Sequence, residues 1–131
     1  SADSVDLTPT FNQFAADNEV SAEQFANKNL ALANARSRLR MLTLYYYGQL
    51  HGLLVTGTGN KIEDFGVGFF TKYGDGGVDL SPIADLTKTQ VFELAAALDV
   101  DMSIQKAVPT YGLWDEERTD KQQMGATYPE L

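Results

Sequence analysis

Lys88 opens a helical pattern that runs on to Leu98. The helix dipole disfavours a cation in the first turn, by about a few tenths of a kcal/mol on an exposed helix. The placement becomes useful where a phosphate occupies the terminus, because ammonium and backbone amides then converge on it. Glu63 follows the turn Gly57-Thr58-Gly59-Asn60. It is either a solvated surface carboxylate or one of the few carboxylates that hold magnesium beside phosphate oxygens. Small residues at 57–60 suit a plain strand-to-helix turn, and they equally suit a backbone that approaches a phosphate or nucleobase. Asn34 and Arg38 are i,i+4 neighbours on a long helical pattern, as are Arg36 and Arg40 on another side. A buried arginine needs an anion, supplied by an internal carboxylate or by a ligand. Lys72, Asp75 and Asp79 add charge inside a glycine-rich run.

Other chemistries are excluded or weakened. The chain has no cysteine and one histidine, His51, to which no role falls. Histidine/cysteine zinc sites and cysteine nucleophiles are therefore excluded, and a Ser-His triad has little to stand on. A calcium loop counted from Asp75 fails, since its third position is Gly77 and its twelfth Leu86. Neither GxxxxGK[ST] nor GxGxxG occurs. A formal charge of −8 argues against a general nucleic-acid binder but leaves small anionic ligands open. No apolar run approaches a membrane span, and the N-terminus has no signal-peptide pattern. The lack of cysteine fits a reducing compartment, so a cytoplasmic protein is expected.

The elements that must position these residues can be read from periodicity. Thr8-Pro9 followed by Phe11, Phe14 and Ala15 predicts a cap and a short amphipathic helix ending at Asp17-Asn18. A long helix is expected from about Ser21 to Leu50, with Leu32, Ala35, Leu39, Leu42 and Tyr46 at helical spacing. Leu44, Tyr45 and Tyr47 make its second half apolar nearly all round, which predicts burial on several sides, in a core or against a second subunit. Gly52 breaks it. Leu53-Leu54-Val55 reads as a short buried parallel strand. A short helix is expected within residues 61–68, loop with a little strand up to Pro82, and a helix over 88–98 with capping-box spacing at Thr87 and Gln90. A short turn or helix follows Asp101, with Pro109-Thr110 and a polar tail beyond. Long, weakly patterned segments such as 57–88 are uncommon in compact domains and are usually functional or disordered. Its aromatic and aliphatic residues argue for order. One strand is not a sheet, so further parallel strands are expected, Val5-Asp6-Leu7 being the possible end of one. The expectation is a piece of a longer α/β protein.

Five blocks then fall into one pattern: Asn34-Ala35-Arg36-Ser37-Arg38-Leu39-Arg40-Met41, GTGNKIE at 57–63, FTKYGDGGVDLSP at 70–82, DLTKTQVFELA at 85–95, and Pro109-Thr110. In order and spacing they resemble the NAD synthetase family over roughly residues 5–131. FTKYGDGG followed by DLTK is the most specific part. The resemblance implies a three-layer α/β/α fold with a parallel sheet, adenine-nucleotide α-hydrolase-like and incomplete here, with residues 1–131 forming part of one domain. It implies an ATP pyrophosphatase that adenylates the nicotinate carboxylate of deamido-NAD, releasing pyrophosphate, after which ammonia displaces AMP to give NAD. By position, Thr58, Lys88 and Thr110 match ATP contacts, with Lys88 and Thr110 stabilising phosphate charge as pyrophosphate leaves. Glu63 matches a magnesium ligand. Arg38, Lys72 and Asp79 match deamido-NAD contacts, with Asn34 and Asp75 as neighbours. A homodimer with the acceptor at its interface is implied, and no nucleic acid or membrane partner.

The chain departs from the family pattern in three places. The Ser-Gly-Gly-x-Asp-Ser pyrophosphate loop is absent, as is a C-terminal His-Lys element, and the spacing from Glu63 to Phe69-Phe70 is one residue longer. Residues 1–131 by themselves are accordingly expected to be inactive. Two other readings remain: an ATP pyrophosphatase acting on a different acceptor, and a non-catalytic nucleotide-binding or dimerisation module. Whether free ammonia or glutamine supplies the nitrogen is not written in these residues.

Overall fold

The computed structural model describes residues 4–18 and 25–107. Helix α1 spans Thr8–Asp17. The cap lies one residue earlier than the sequence suggests: Leu7 holds the N-cap position, and the Asp6 carboxylate accepts a hydrogen bond from the Thr8 amide at 2.9 Å. Pro9 thus sits within the first turn, where its missing N–H costs nothing. Phe11 is the buried residue of this helix, and the Arg36 guanidinium lies 4.3 Å from its ring centroid. That cation–π contact joins α1 to the second helix.

Helix α2 spans Lys28–His51. It starts later than expected, after a turn at residues 26–27, among asparagines that are poor helix formers. Its end is as expected: Gly52 takes the left-handed conformation at φ 66°, which glycine reaches without penalty. The expected burial of its second half is not found within the described residues. Leu42, Leu44, Tyr46 and Leu50 are all more than half exposed, while Ala33, Ser37 and Gly48 are buried. The face that packs against the described chain is the one carrying small and polar residues.

After Gly52 the chain passes through Leu53-Leu54-Val55, and here too the expectation is corrected. Val55 is buried, but Leu53 and Leu54 are 66% and 65% exposed. No full strand occurs among the described residues, Val5–Leu7 included; a single parallel bridge joins Thr56 to Leu80. Gly57 N–H donates to the Leu80 carbonyl at 2.7 Å, and Asp79 and Leu80 N–H both donate to the Val55 carbonyl. The pairing is parallel, as predicted, but among the described residues only one neighbour is present, and none covers the two leucines. The layered sheet implied by the family resemblance is not visible in these residues.

The short helix expected within 61–68 is present over Ile62–Gly66 as a π-helical turn. This wider winding is rare and is found mostly at functional sites. Helix α3 spans Lys88–Ala97 and is held by the predicted capping box, with Thr87 and Gln90 each bonding the other's backbone. Such a cap contributes about 1 kcal/mol. Helix α4, Met102–Gln105, is capped by Asp101, whose carboxylate accepts from Ser103 N–H at 2.8 Å. No helix among the described residues is long and apolar enough to cross a membrane.

Candidate functional site

The glycine-rich loop lies along one stripe of α2. Asn34 Oδ1 accepts from the Thr71 hydroxyl at 2.8 Å. Arg38 Nε donates to the Lys72 carbonyl at 3.0 Å. The Ser37 hydroxyl donates to Asp75 Oδ1 at 2.8 Å and accepts from the Asp75 amide at 3.0 Å. Further along, Met41 packs beside Gly77, and the Tyr45 hydroxyl donates to Asp79 Oδ1 at 3.0 Å. Positions 34, 37/38, 41 and 45 share a face because they fall three and four residues apart. The loop runs beside them in the same order. Ser37 and Thr71 are 4% and 2% exposed, so the bonds they make to Asp75 and Asn34 are shielded from water, whereas those of Arg38 and Tyr45 lie at the exposed edges of the seam. Each bond contributes about 0.5–1.5 kcal/mol, and losing one partner costs more than the bond gained.

Asp75 closes the loop from within, its Oδ1 also accepting from Thr71 N–H at 2.9 Å. Asp79 does the same at the far end. Its Oδ2 accepts from Val55 N–H at 2.8 Å while its own amide donates to the Val55 carbonyl at 2.9 Å. Desolvation first, and then the Asp79 carboxylate as hydrogen-bond partner and as charge, hold the Tyr45 phenol above its ordinary pKa. Tyr73, inside the loop, stands at φ 61°, in the left-handed region. This conformation costs a non-glycine residue about 1–2 kcal/mol.

A second group forms around Gly57–Asn60. Asn60 is 1% exposed, and its Oδ1 accepts from the amides of Ile62 and Glu63 at 3.0 and 3.1 Å, starting the π-helical turn. That turn aims Glu63 at the first residue of α3: Lys88 Nζ lies 3.2 Å from Glu63 Oε1. Two residues 25 apart in sequence, each singled out for phosphate or magnesium chemistry, therefore meet. The carboxylate offsets the unfavourable placement of an ammonium at a helix N-terminus. Next to Glu63 in the chain, Asp64 lays its carboxylate against Gly59. A Cβ built on Gly59 would fall 2.5 Å from Asp64 Oδ1 and closer still to Oδ2, so the carboxylate fills the space a side chain would take.

Burial, then the charges of Glu63 and Asp75, push the Asp64 carboxyl above its ordinary pKa. A raised carboxyl pKa means that the folded chain binds the proton more tightly than the unfolded chain. The destabilisation is fully present above the raised folded value and is relieved as pH falls through it towards the unfolded value. Asp64→Asn is therefore expected to raise the melting temperature at pH 7, and the gain should shrink on acidification through the upper carboxylate range. A lower melting temperature at pH 7 would contradict this assignment.

A cleft of about 210 Å³ lies between the two groups, lined by Ser37, Arg40, Met41, Thr58, Asp75 and Val78 among others. Of the residues expected from sequence, Asn34, Arg38, Lys72, Asp75 and Asp79 fall on the seam between helix and loop. Glu63 and Lys88 form the ion pair, Thr58 lines the cleft, and Thr110 lies outside the described residues. Sequence reasoning missed Ser37, Thr71, Tyr45, Asn60 and Asp64. Asp64, beside Glu63 in a segment already under suspicion, was the easiest of these to find. The other four carry no charge that would have marked them.

A sequence profile of the NAD synthase family matches residues 1–131. The chain belongs to the NAD synthase family. Among curated proteins it is 51% identical over 104 residues to the NH(3)-dependent NAD(+) synthetase of Carboxydothermus hydrogenoformans, covering 79% of this chain and 42% of that protein. Among solved structures it is similar to the NMN synthetase of Francisella tularensis, at TM-score 0.85 and 39% identity, covering 96% of this chain and 50% of the other. It is also similar to the glutamine-dependent NAD+ synthetase of Acinetobacter baumannii in complex with adenosine diphosphate. There the TM-score is 0.61 and the identity 30%, covering 70% of this chain and 17% of that one. The chain thus spans half or less of the length of each of these three relatives.

Proposed function

We propose that these residues form part of the site of an ATP-dependent amide synthetase that converts deamido-NAD to NAD. The observation that carries this reading is the 3.2 Å contact between Lys88 and Glu63 at the start of α3, beside the Gly57–Asn60 edge. In this NAD synthase family member, an oxygen of the nicotinate carboxylate attacks the α-phosphorus of ATP. The bond from that phosphorus to the bridging oxygen breaks, and pyrophosphate leaves. Ammonia then attacks the acyl carbon, the bond to the AMP oxygen breaks, and the surplus proton goes to solvent. Lys88, with Thr110, faces the phosphates and stabilises the charge that grows on the departing pyrophosphate. Thr58 contacts ATP at the backbone edge. Arg38, Lys72 and Asp79, supported by Asn34 and Asp75, hold the acceptor.

Glu63 fits a magnesium ligand in one respect. Magnesium bound with nucleotide usually takes one or two carboxylates plus phosphate oxygens. Glu63 offers one mostly shielded carboxylate, and no cluster of three or more acidic, histidine or cysteine side chains among the described residues could hold an ion without help. The ion, when bound, neutralises phosphate charge. The exposed Leu42, Leu44, Tyr46 and Leu50 on α2 suit a subunit interface in a homodimer.

A second reading has specific support: the similarity to an NMN synthetase over nearly all of this chain favours nicotinate mononucleotide as acceptor. The test is AMP formation by the protein as encoded by its gene, with ATP, magnesium and ammonium, against each acceptor. AMP formed one-to-one with NAD from deamido-NAD supports the first reading. A kcat/KM at least tenfold higher with the mononucleotide selects the second. AMP formation that needs neither acceptor overturns both.

A further inference from the structure

We propose that Tyr73 is a positioning residue whose ring holds the Lys72 ammonium in place for the anionic end of the acceptor. The inference rests on the reading that Lys72 contacts that acceptor. Three observations carry it. Lys72 Nζ lies 5.1 Å from the centroid of the Tyr73 ring, within the range of a cation–π contact. The Tyr73 backbone stands at φ 61°, where glycine is at ease and a bulky side chain is not. Tyr73 is 65% exposed, so it is not there to fill a core.

The backbone around Tyr73 is fixed on both sides. Arg38 holds the Lys72 carbonyl, Thr71 is buried, and the Gly74 amide donates to the Thr71 carbonyl at 2.9 Å. The left-handed conformation is therefore imposed by the loop, whatever residue stands there. Glycine would meet it without strain, and tyrosine meets it with strain while presenting its ring to solvent. What that ring touches is the ammonium of the preceding residue. Lys72 is itself exposed, on a flexible stem, and an unsupported ammonium there would sample many rotamers before meeting an anion. A ring beneath it narrows that search and lowers the ordering cost on binding.

The test compares Tyr73→Gly and Tyr73→Phe in the protein as encoded. Tyr73→Gly should melt at or above the wild-type temperature, because the strain is relieved. Its KM for the acceptor should rise about three- to fivefold, with kcat and the KM for ATP little changed. Tyr73→Phe keeps the ring and should stay within about twofold of wild type. In a Lys72→Ala background, Tyr73→Gly should have no further effect on the acceptor KM. An unchanged acceptor KM in Tyr73→Gly overturns the proposal, and so does an equal loss with Lys72 absent, which would mean that the ring meets the acceptor directly. A readout without ligand separates this from the functional reading. After reductive ¹³C-methylation, the Lys72 methyl signal, assigned by its loss in Lys72→Arg, should be ring-shifted upfield in wild type and Tyr73→Phe but not in Tyr73→Gly. A wild-type signal at the unshifted position overturns the proposal whatever the enzyme does. A shifted signal in a protein that turns over neither acceptor overturns the functional reading, and with it the acceptor role of the ring.

Discussion

Lys88→Ala is expected to lower the rate of AMP formation by about 100- to 1,000-fold, the usual consequence of removing one group aimed at charge that grows in the transition state. The KM for ATP should move far less, because the bound nucleotide keeps its other contacts and the lysine acts mainly as pyrophosphate leaves. The pairing with Glu63 complicates the measurement in a useful way. Lys88 Nζ is 3.2 Å from Glu63 Oε1, and both side chains are mostly shielded, at 20% and 15% exposure. Alanine at 88 therefore leaves a shielded carboxylate without its cation, at a stability cost of about 1–3 kcal/mol. Glu63→Gln in the same molecule removes that stranded charge. Because Glu63 is itself proposed to hold magnesium, Glu63→Gln alone sets the reference: the double variant should regain melting temperature yet stay far slower than Glu63→Gln. If the double variant is as fast as Glu63→Gln, Lys88 serves the fold and not the chemistry.

Gly74→Ala is expected to unseat the glycine-rich loop. A Cβ at this position would lie 2.9 Å from the Ser37 and Thr71 Cβ atoms and closer still to the Ser37 hydroxyl. Neither neighbour can give way cheaply, since both are nearly fully buried and their hydroxyls are committed to Asp75 and Asn34. Overpacking of this kind costs about 1–3 kcal/mol, with the broken hydrogen bonds in addition. The denaturation midpoint should fall, and acceptor binding should weaken more than ATP binding because the loop carries Lys72 and Asp79. Adding Ser37→Gly removes the worst overlap and should recover part of the stability. Wild-type stability in Gly74→Ala would show that the loop does not rest on α2.

The sequence was informative where structure follows local rules. The capping box at Thr87 and Gln90, the left-handed stop at Gly52 and the short helix after Gly57–Asn60 all depend on residues within a few positions of one another. The packed face of α2 depends on something else. Hydrophobic spacing pointed to Leu32, Leu39, Leu42 and Tyr46, whereas the face against the loop carries Asn34, Ser37, Arg38 and Tyr45. Those residues hydrogen-bond to side chains and backbone of the loop, and a polar packed face leaves no apolar period to count. Leu53 and Leu54 read as buried because apolar runs usually are, but burial needs a neighbour on each face, and among the described residues only Val55 finds one. For the candidate site, residue types marked the charged groups. Geometry was needed to show that Glu63 meets Lys88, and that the Asp64 carboxylate lies against Gly59.

The seam between α2 and the loop also orders events in time. Its hydrogen bonds join residues 34 to 38 apart in sequence, whereas the helix is built from contacts four residues apart. A local element can form without the distant one: the loop has turn bonds of its own, such as Gly74 and Gly76 N–H to the Thr71 carbonyl, but its seat on α2 needs the helix in place. The dependence runs one way. Detaching the loop costs its own few bonds and leaves the helix standing, while fraying of α2 near Asn34 or Tyr45 takes the loop with it. Among the described residues, the seat of the loop on α2 is thus expected to form after the helix and to open before it.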